Sequence, residues 1–214
     1  MFSSSKPLIA CSALLILAAC SRAGQIDSTG GVSVTRTVCP AVGVPAYTGD
    51  VTLFDPPASR EASAIDVTAM LTDVRTTCND QGAEVVSTST FQVHGTRRDT
   101  SGAREVVLPY FSTVVRAGDV VVSKSVGRVA LRFADGEARA STSGQASATV
   151  NRAAATLPDE IRQQIVRRRK PGDPDAAMDP MADPTVRAAV DRATFEVLIG
   201  FQLTPEQLQY NATR

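Results

Sequence analysis

Four cysteines, one histidine and a Ser-Lys-Ser triplet are the residues of this 214-residue chain best equipped for specific chemistry. The cysteines stand at Cys11, Cys20, Cys39 and Cys78. None of their spacings is the C-x-x-C of a redox pair, and a zinc site wants four ligands, whereas His94 is the single histidine. His94 falls on the polar face of a strand-like run beside Gly95 and Arg97. Nothing in the pattern supplies the nucleophile and orienting group that a catalytic base needs, so it reads as a solvated strand histidine. Ser123-Lys124-Ser125 has the residue types of a Ser/Lys dyad, but adjacent strand residues point to opposite faces, and only the two serines share one. Asp135, Asp173, Asp175, Asp179 and Asp183 sit in turn or Pro-rich contexts that favour Asp for backbone reasons. There is no G-x-S-x-G, P-loop, H-E-x-x-H, dinucleotide fingerprint or EF-hand loop. The chemistry legible here includes no catalytic residue, no metal ligand set and no cofactor site.

The elements that must position these residues begin with a distinct N-terminus. Met1 and Lys6 carry positive charge, and the thirteen residues from Pro7 to Ala19 are apolar or small and uncharged, which is the layout of a secretory signal over residues 1–19. Such a segment is too short to cross a bilayer core, which takes about 20 helical residues. It ends in Leu17-Ala18-Ala19-Cys20, which resembles the lipobox of bacterial lipoproteins. The resemblance implies that the Cys20 thiol accepts a diacylglyceryl group and that Cys20 becomes the first residue of the mature chain. Ser21, a non-Asp residue after the cysteine, implies by the same resemblance an outer-membrane destination facing the periplasm. Ordinary cleavage near Ala19 is the alternative; it leaves Cys20 as an odd free thiol.

With Cys11 removed and Cys20 acylated, Cys39 and Cys78 remain as an even pair. In an oxidising compartment such a pair forms a disulfide, worth about 4 kcal/mol on the chain-entropy model for a loop of this length. Loss of Lys6 leaves 21 basic side chains against 22 acidic ones. That near balance provides no field to draw the protein to nucleic acid.

Residues 20–31 have the small, polar composition of a flexible tether, and residues 32–214 form a single domain. Its pattern is that of strands. Ile65, Val67, Ala69 and Leu71 share a face, as do Val85, Phe91 and Val93, and the two runs are expected to pair across a turn at 79–82. Glu105 to Arg116 is apolar on both faces, as a central strand would be, with Pro109 implying a bulge or a strand end. Gly118-Asp119 reads as a two-residue hairpin turn into Val120–Phe133, and Asp135-Gly136 as a second, stronger hairpin into Glu137–Val150. Phe195, Val197, Ile199 and Phe201 mark a half-buried strand.

Between the last two strands lies an insertion at about 156–192. It holds a short amphipathic helix on Leu157, Ile161 and Ile165, then the basic run Arg167-Arg168-Arg169-Lys170, an Asp/Pro-rich stretch, and a brief helix over Val186, Ala189 and Val190 opened by Asp183-Pro184, the whole read as an inserted flexible segment. The basic run has the charge to meet anionic headgroups or an acidic partner; capping of the helix C-terminus through its dipole is the competing reading. Thr204-Pro205-Glu206-Gln207 is a capping-box start for a C-terminal helix. Several short strands without alternating long helices predict an all-β fold, an immunoglobulin-like antiparallel sandwich, with a small barrel as the alternative.

Cys39-Pro40, the strand from Asp66-Val67 to Cys78, Leu108-Pro109-Tyr110-Phe111 and the ending Gly200-Phe201-Gln202-Leu203-Thr204-Pro205-Glu206-Gln207-Leu208 together resemble a family of small alphaproteobacterial lipoproteins without an assigned activity. The resemblance spans most of residues 37–211 and implies the envelope address, not a mechanism. The expectation is therefore a lipid-anchored, non-enzymatic interaction or structural module with a protein partner in the envelope and no nucleic-acid or metal partner. The alternative is a ligand-binding protein or enzyme whose site no motif flags, around Arg97, Arg98, Arg128 and Arg132.

Overall fold

The structure is a computed structural model and describes residues 37–167, 172–174 and 178–214. These residues build two four-stranded sheets packed as a sandwich. The first has the order β1 (Ala41–Gly43), β8 (Phe195–Phe201), β5 (Arg104–Arg116), β6 (Val120–Phe133); the second has β2 (Asp50–Phe54), β3 (Ile65–Asn79), β4 (Glu84–Arg97), β7 (Arg139–Asn151). All neighbours are antiparallel except β1 and β8. The sandwich expected from the alternating pattern is present. Its connectivity, with β2, β3 and β4 in one meander, differs from the two-sheet order of an antibody domain, as happens often among sandwiches.

Period-two alternation explains the core. Along β4 the odd-numbered residues from Val85 to Arg97 are buried and most of the even-numbered ones are exposed, so Phe91 and Val93 meet Leu131, Phe133, Val197 and Ile199 from the other sheet in one apolar cluster. In β3 the register with β4 gains one residue between Thr72 and Arg75, where Asp73 takes a positive φ of 52°. Such a bulge shifts the alternation by one. Even-numbered residues then follow the inward side, and Thr76 bonds buried Ser89 at 2.9 Å.

Two turn expectations are corrected. Asp135-Gly136 is not a hairpin: β6 and β7 lie in different sheets, and β7 pairs with β4. The segment is a crossover whose turn groups are satisfied by the neighbouring crossover from β4 to β5. Asp135 accepts from the Gly102 N–H at 2.7 Å, and the Gly136 N–H bonds Thr100 O at 2.9 Å. The β5–β6 turn holds three residues, Ala117, Gly118 and Asp119, because Arg116 pairs with Val120 and both Ala117 and Gly118 have positive φ. Pro109 causes neither a bulge nor an end; it sits inside β5, opposite Arg128. Its carbonyl accepts from Gln202 N. Since a strand residue's N and O point the same way, the missing N–H faces the point where β8 has already ended.

The helices follow their sequence signals. α1 (Asp159–Val166) buries no residue fully, whereas α2 (Pro184–Ala193) buries Val186, Ala189 and Val190, so this part of the insertion belongs to the packed domain. Asp183 caps α2 through Thr185 N. α3 (Pro205–Thr213) starts on the complete Thr204/Gln207 capping box. It is clipped to the sheet by buried Asn211, whose amide donates to Tyr47 O at 2.9 Å and Asp50 O at 2.8 Å.

Registers also define two poles. Ala41 pairs with Glu196 and Arg116 with Phe195, so the chain enters β1 at the pole where the β5–β6 hairpin turns. Cys39 and Cys78 are bonded there, which brings the end of β3 to the same pole. The crossovers at 98–103 and 134–138 lie at the opposite pole, with the start of α3.

Candidate functional site

At that far pole four separated segments form a cleft of about 620 Å³, lined among others by Phe54, Arg60, Asp66, Arg104, Glu206 and Tyr210. Phe54 ends β2 and meets Tyr210 of α3 edge-to-face at 5.1 Å, which gives the cleft an aromatic wall. Arg60, in the loop between β2 and β3, lays its guanidinium 5.1 Å over the Phe54 ring and donates to the carbonyls of Pro57 and Ser59 at 2.7 and 2.6 Å. Arg104, the first residue of β5, grips Asp66 of β3 with two nitrogens at 2.7 and 2.6 Å.

That fork-on-fork pair is the strong form of a charged hydrogen bond. It holds the Arg104 guanidinium above its ordinary pKa. On the facing helix, the Glu206 carboxyl is held below its usual range, first by its own backbone N–H, then by the Thr204 hydroxyl, with Arg60 adding a smaller attraction. Two cations and two carboxylates thus balance one another around apolar side chains. This arrangement suits recognition of a side chain or small molecule that is part apolar and part polar. The one lining hydroxyl tied to a carboxylate, Thr204 beside Glu206, is also the helix cap that accepts from Gln207 N.

The residues singled out by sequence have varied fates. Cys39 and Cys78 form the disulfide, with Cα atoms 6.1 Å apart. Cys20 lies outside the described residues, as do Arg168, Arg169 and Lys170. Arg167 is the residue that follows α1, on the wall of a cavity of about 590 Å³ between α1 and α2 that also includes Met178, Asp179 and Asp183. Both carboxylates are engaged as caps, by Met181 N at 2.9 Å and Thr185 N at 2.8 Å.

His94 is exposed on β4, between Met70 and Ser141 of its neighbours. Ser123, Lys124 and Ser125 are all exposed on β6, and the Lys124 ammonium sits 5.2 Å over Phe111. The four arginines of the alternative site do not converge. Arg97 ends β4 and is 2% exposed, while Arg98, Arg128 and Arg132 are exposed, Arg132 paired with Glu105. The physical reason is parity: Arg97 continues the inward series of Val93 and Gly95. Its guanidinium lies 5.4 Å over Phe133 and donates to the carbonyls of Thr100, Gly102, Ala134 and Glu137 at 2.7–2.8 Å. A buried cation bound on all sides by backbone is an architectural part.

The cleft itself had no sequence signal, because its residues come from positions 52–66, 104 and 204–210, each locally ordinary. Among the described residues no group of three His, Cys, Asp or Glu side chains could hold a metal ion, and no helix is long and apolar enough to cross a membrane. The fold and the cleft define a disulfide-linked β-sandwich with a charged, aromatic-walled cleft at one pole. No family model, curated protein or solved structure matches the chain.

Proposed function

We propose that this protein is a lipid-anchored lipoprotein of the bacterial envelope, on the outer membrane facing the periplasm, and acts there as a non-enzymatic interaction module for an envelope protein. The carrying observation is the lipobox-like Leu17-Ala18-Ala19-Cys20 at the end of a signal-type segment. The Cys39–Cys78 disulfide supports it, since such bonds persist in oxidising compartments. Two or more acyl chains on Cys20 hold a protein stably where one would not. The far-pole cleft is the surface offered to the partner.

Cell fractionation tests the anchor: Cys20→Ala is expected to leave the membrane fraction, and full retention overturns the reading. A photo-crosslinker at Ala58, on the cleft, is expected to capture a defined envelope protein, while one at exposed Ser143 on β7 is not. Equal capture at both sites, or none, removes the interaction role. The run Arg167 to Lys170 adds a basic contact for anionic lipid or an acidic partner, and unchanged vesicle binding after replacing all four cations would eliminate it. A small-ligand-binding protein or enzyme is the second reading, favoured by the volume of the cleft and its aromatic wall.

A further inference from the structure

We infer that the β5–β6 hairpin rests in the headgroup layer of the bilayer, so that the pole where the chain enters is the membrane-facing surface of the domain; this rests on the lipid-anchor reading above. Val120, Val121 and Val122 are 45%, 63% and 52% exposed, and Val126 is 57% exposed. Consecutive strand residues point to opposite faces. Val120 and Val121 pair with Arg116 and Val115, and Val122 is the extra residue of a bulge opposite Val114 and Val115, so the exposed valines cover both faces of the β6 edge while Val114 and Val115 behind them are buried. A run of three exposed apolar residues is an error in a soluble surface unless it has a use, and among the described residues β6 is an edge strand with no neighbour beyond it in the sheet.

The surrounding charges fit a lipid surface better than a dry protein interface. Arg116 and Lys124 flank the valines, with Asp119 in the turn as the one acid between them. Lys124 lies back along the strand with its ammonium 5.2 Å over the Phe111 ring, and a swing of its long stem would carry that charge to lipid phosphates while apolar neighbours sit deeper.

Chain length supplies an independent reason. Cys20 and Cys39 are nineteen positions apart, no more than about 65 Å when fully extended. The fourteen residues of β4 make the long axis of the sandwich about 45 Å. A lipid on Cys20 thus favours the entry pole, with its hairpin, over the far pole, which would meet the bilayer only with the connecting chain drawn out.

The test uses the full acylated protein, purified with its lipid and reconstituted into vesicles of phosphatidylethanolamine and phosphatidylglycerol. An environment-sensitive fluorophore is placed on Val122→Cys, or for comparison on Ser63→Cys in the far-pole loop, and quenched by nitroxide-bearing lipids. Quenching at position 122 is expected to exceed that at 63 by at least about threefold, given insertion of 5–10 Å into the headgroup boundary. Comparable quenching at the two positions overturns the inference. A blue shift at 122 without lipid quenching does so too, since it would mean that a second copy or another protein covers the edge. Failure of the protein to float with the vesicles defeats the anchor reading itself, and this inference with it.

Discussion

Arg97→Met removes the guanidinium and keeps most of the aliphatic stem, and so isolates the polar role of a side chain that is 2% exposed. Four hydrogen bonds to carbonyl oxygens are lost, at 2.7–2.8 Å each. Bonds to a charged group contribute about 1.5–3 kcal/mol apiece, so simple addition would give an upper bound near 6–12 kcal/mol. Two effects reduce it. Methionine no longer carries the desolvation cost of a buried cation, and the four carbonyls belong to pole loops that water can reach once the guanidinium is gone. The expected net loss is about 3–5 kcal/mol, in line with breaking one side of a buried charged network, against total stabilities of about 5–15 kcal/mol for domains in general. Arg97→Lys retains the charge but not the planar fork, and should lose about 2–3 kcal/mol. Urea unfolding followed by circular dichroism reads both through the midpoint at unchanged slope. Arg98→Met, at the exposed neighbour, should stay within about 0.5 kcal/mol. If Arg97→Met fell within about 1 kcal/mol of the parent, the idea that this side chain ties the two crossovers together would be refuted.

Replacing both Cys39 and Cys78 with serine opens a loop whose ends are 39 positions apart and should lower stability by about 4 kcal/mol, read as a shift in the urea midpoint. Asn211→Leu leaves the carbonyls of Tyr47 and Asp50 without their donor; a loss of about 2–3 kcal/mol is expected, and hydrogen exchange should quicken over α3 before the sheets respond. The Glu206 carboxyl, depressed by its own backbone N–H and by Thr204, contributes stability that is present above the unfolded carboxylate pKa and fades as pH falls through the lower folded value. Glu206→Gln should flatten that acid-side slope, and an NMR titration of Glu206 in its ordinary range would contradict the assignment.

How much of this was legible in the sequence depends on whether each cause is local. The Thr204/Gln207 capping box, the Asp183-Pro184 helix start and the alternation of Phe195 to Phe201 are decided by residues within a few positions of one another, and all three are present as read. The disulfide was legible because the signal-peptide and lipobox reading assigns Cys11 and Cys20 elsewhere and leaves Cys39 and Cys78 to pair. Asp135-Gly136 misled for the opposite reason. The dipeptide specifies a turn but not what the departing strand will pair with, and the choice of β4 over β6 as partner for β7 is made by hydrogen-bonding edges that are distant in sequence.

Arg97 and the cleft carry the same lesson into function. Arginine beside a second arginine and an aspartate reads as a surface turn, and its burial follows only when the inward parity of β4 extends one residue further and four carbonyls converge from two crossovers. Asp66 and Arg104 are each an ordinary charged residue at a strand start; 38 positions apart, they become a fixed pair only because both strands begin at the same pole. Phe54 and Tyr210 become a wall only when α3 folds back over β2, which Asn211 secures. Sites made of adjacent residues leave motifs, whereas sites assembled by topology leave none. The entry pole with its valines and the far pole with its charged cleft are therefore properties of strand order, and a sandwich oriented by an N-terminal lipid would turn one toward the bilayer and the other toward a partner.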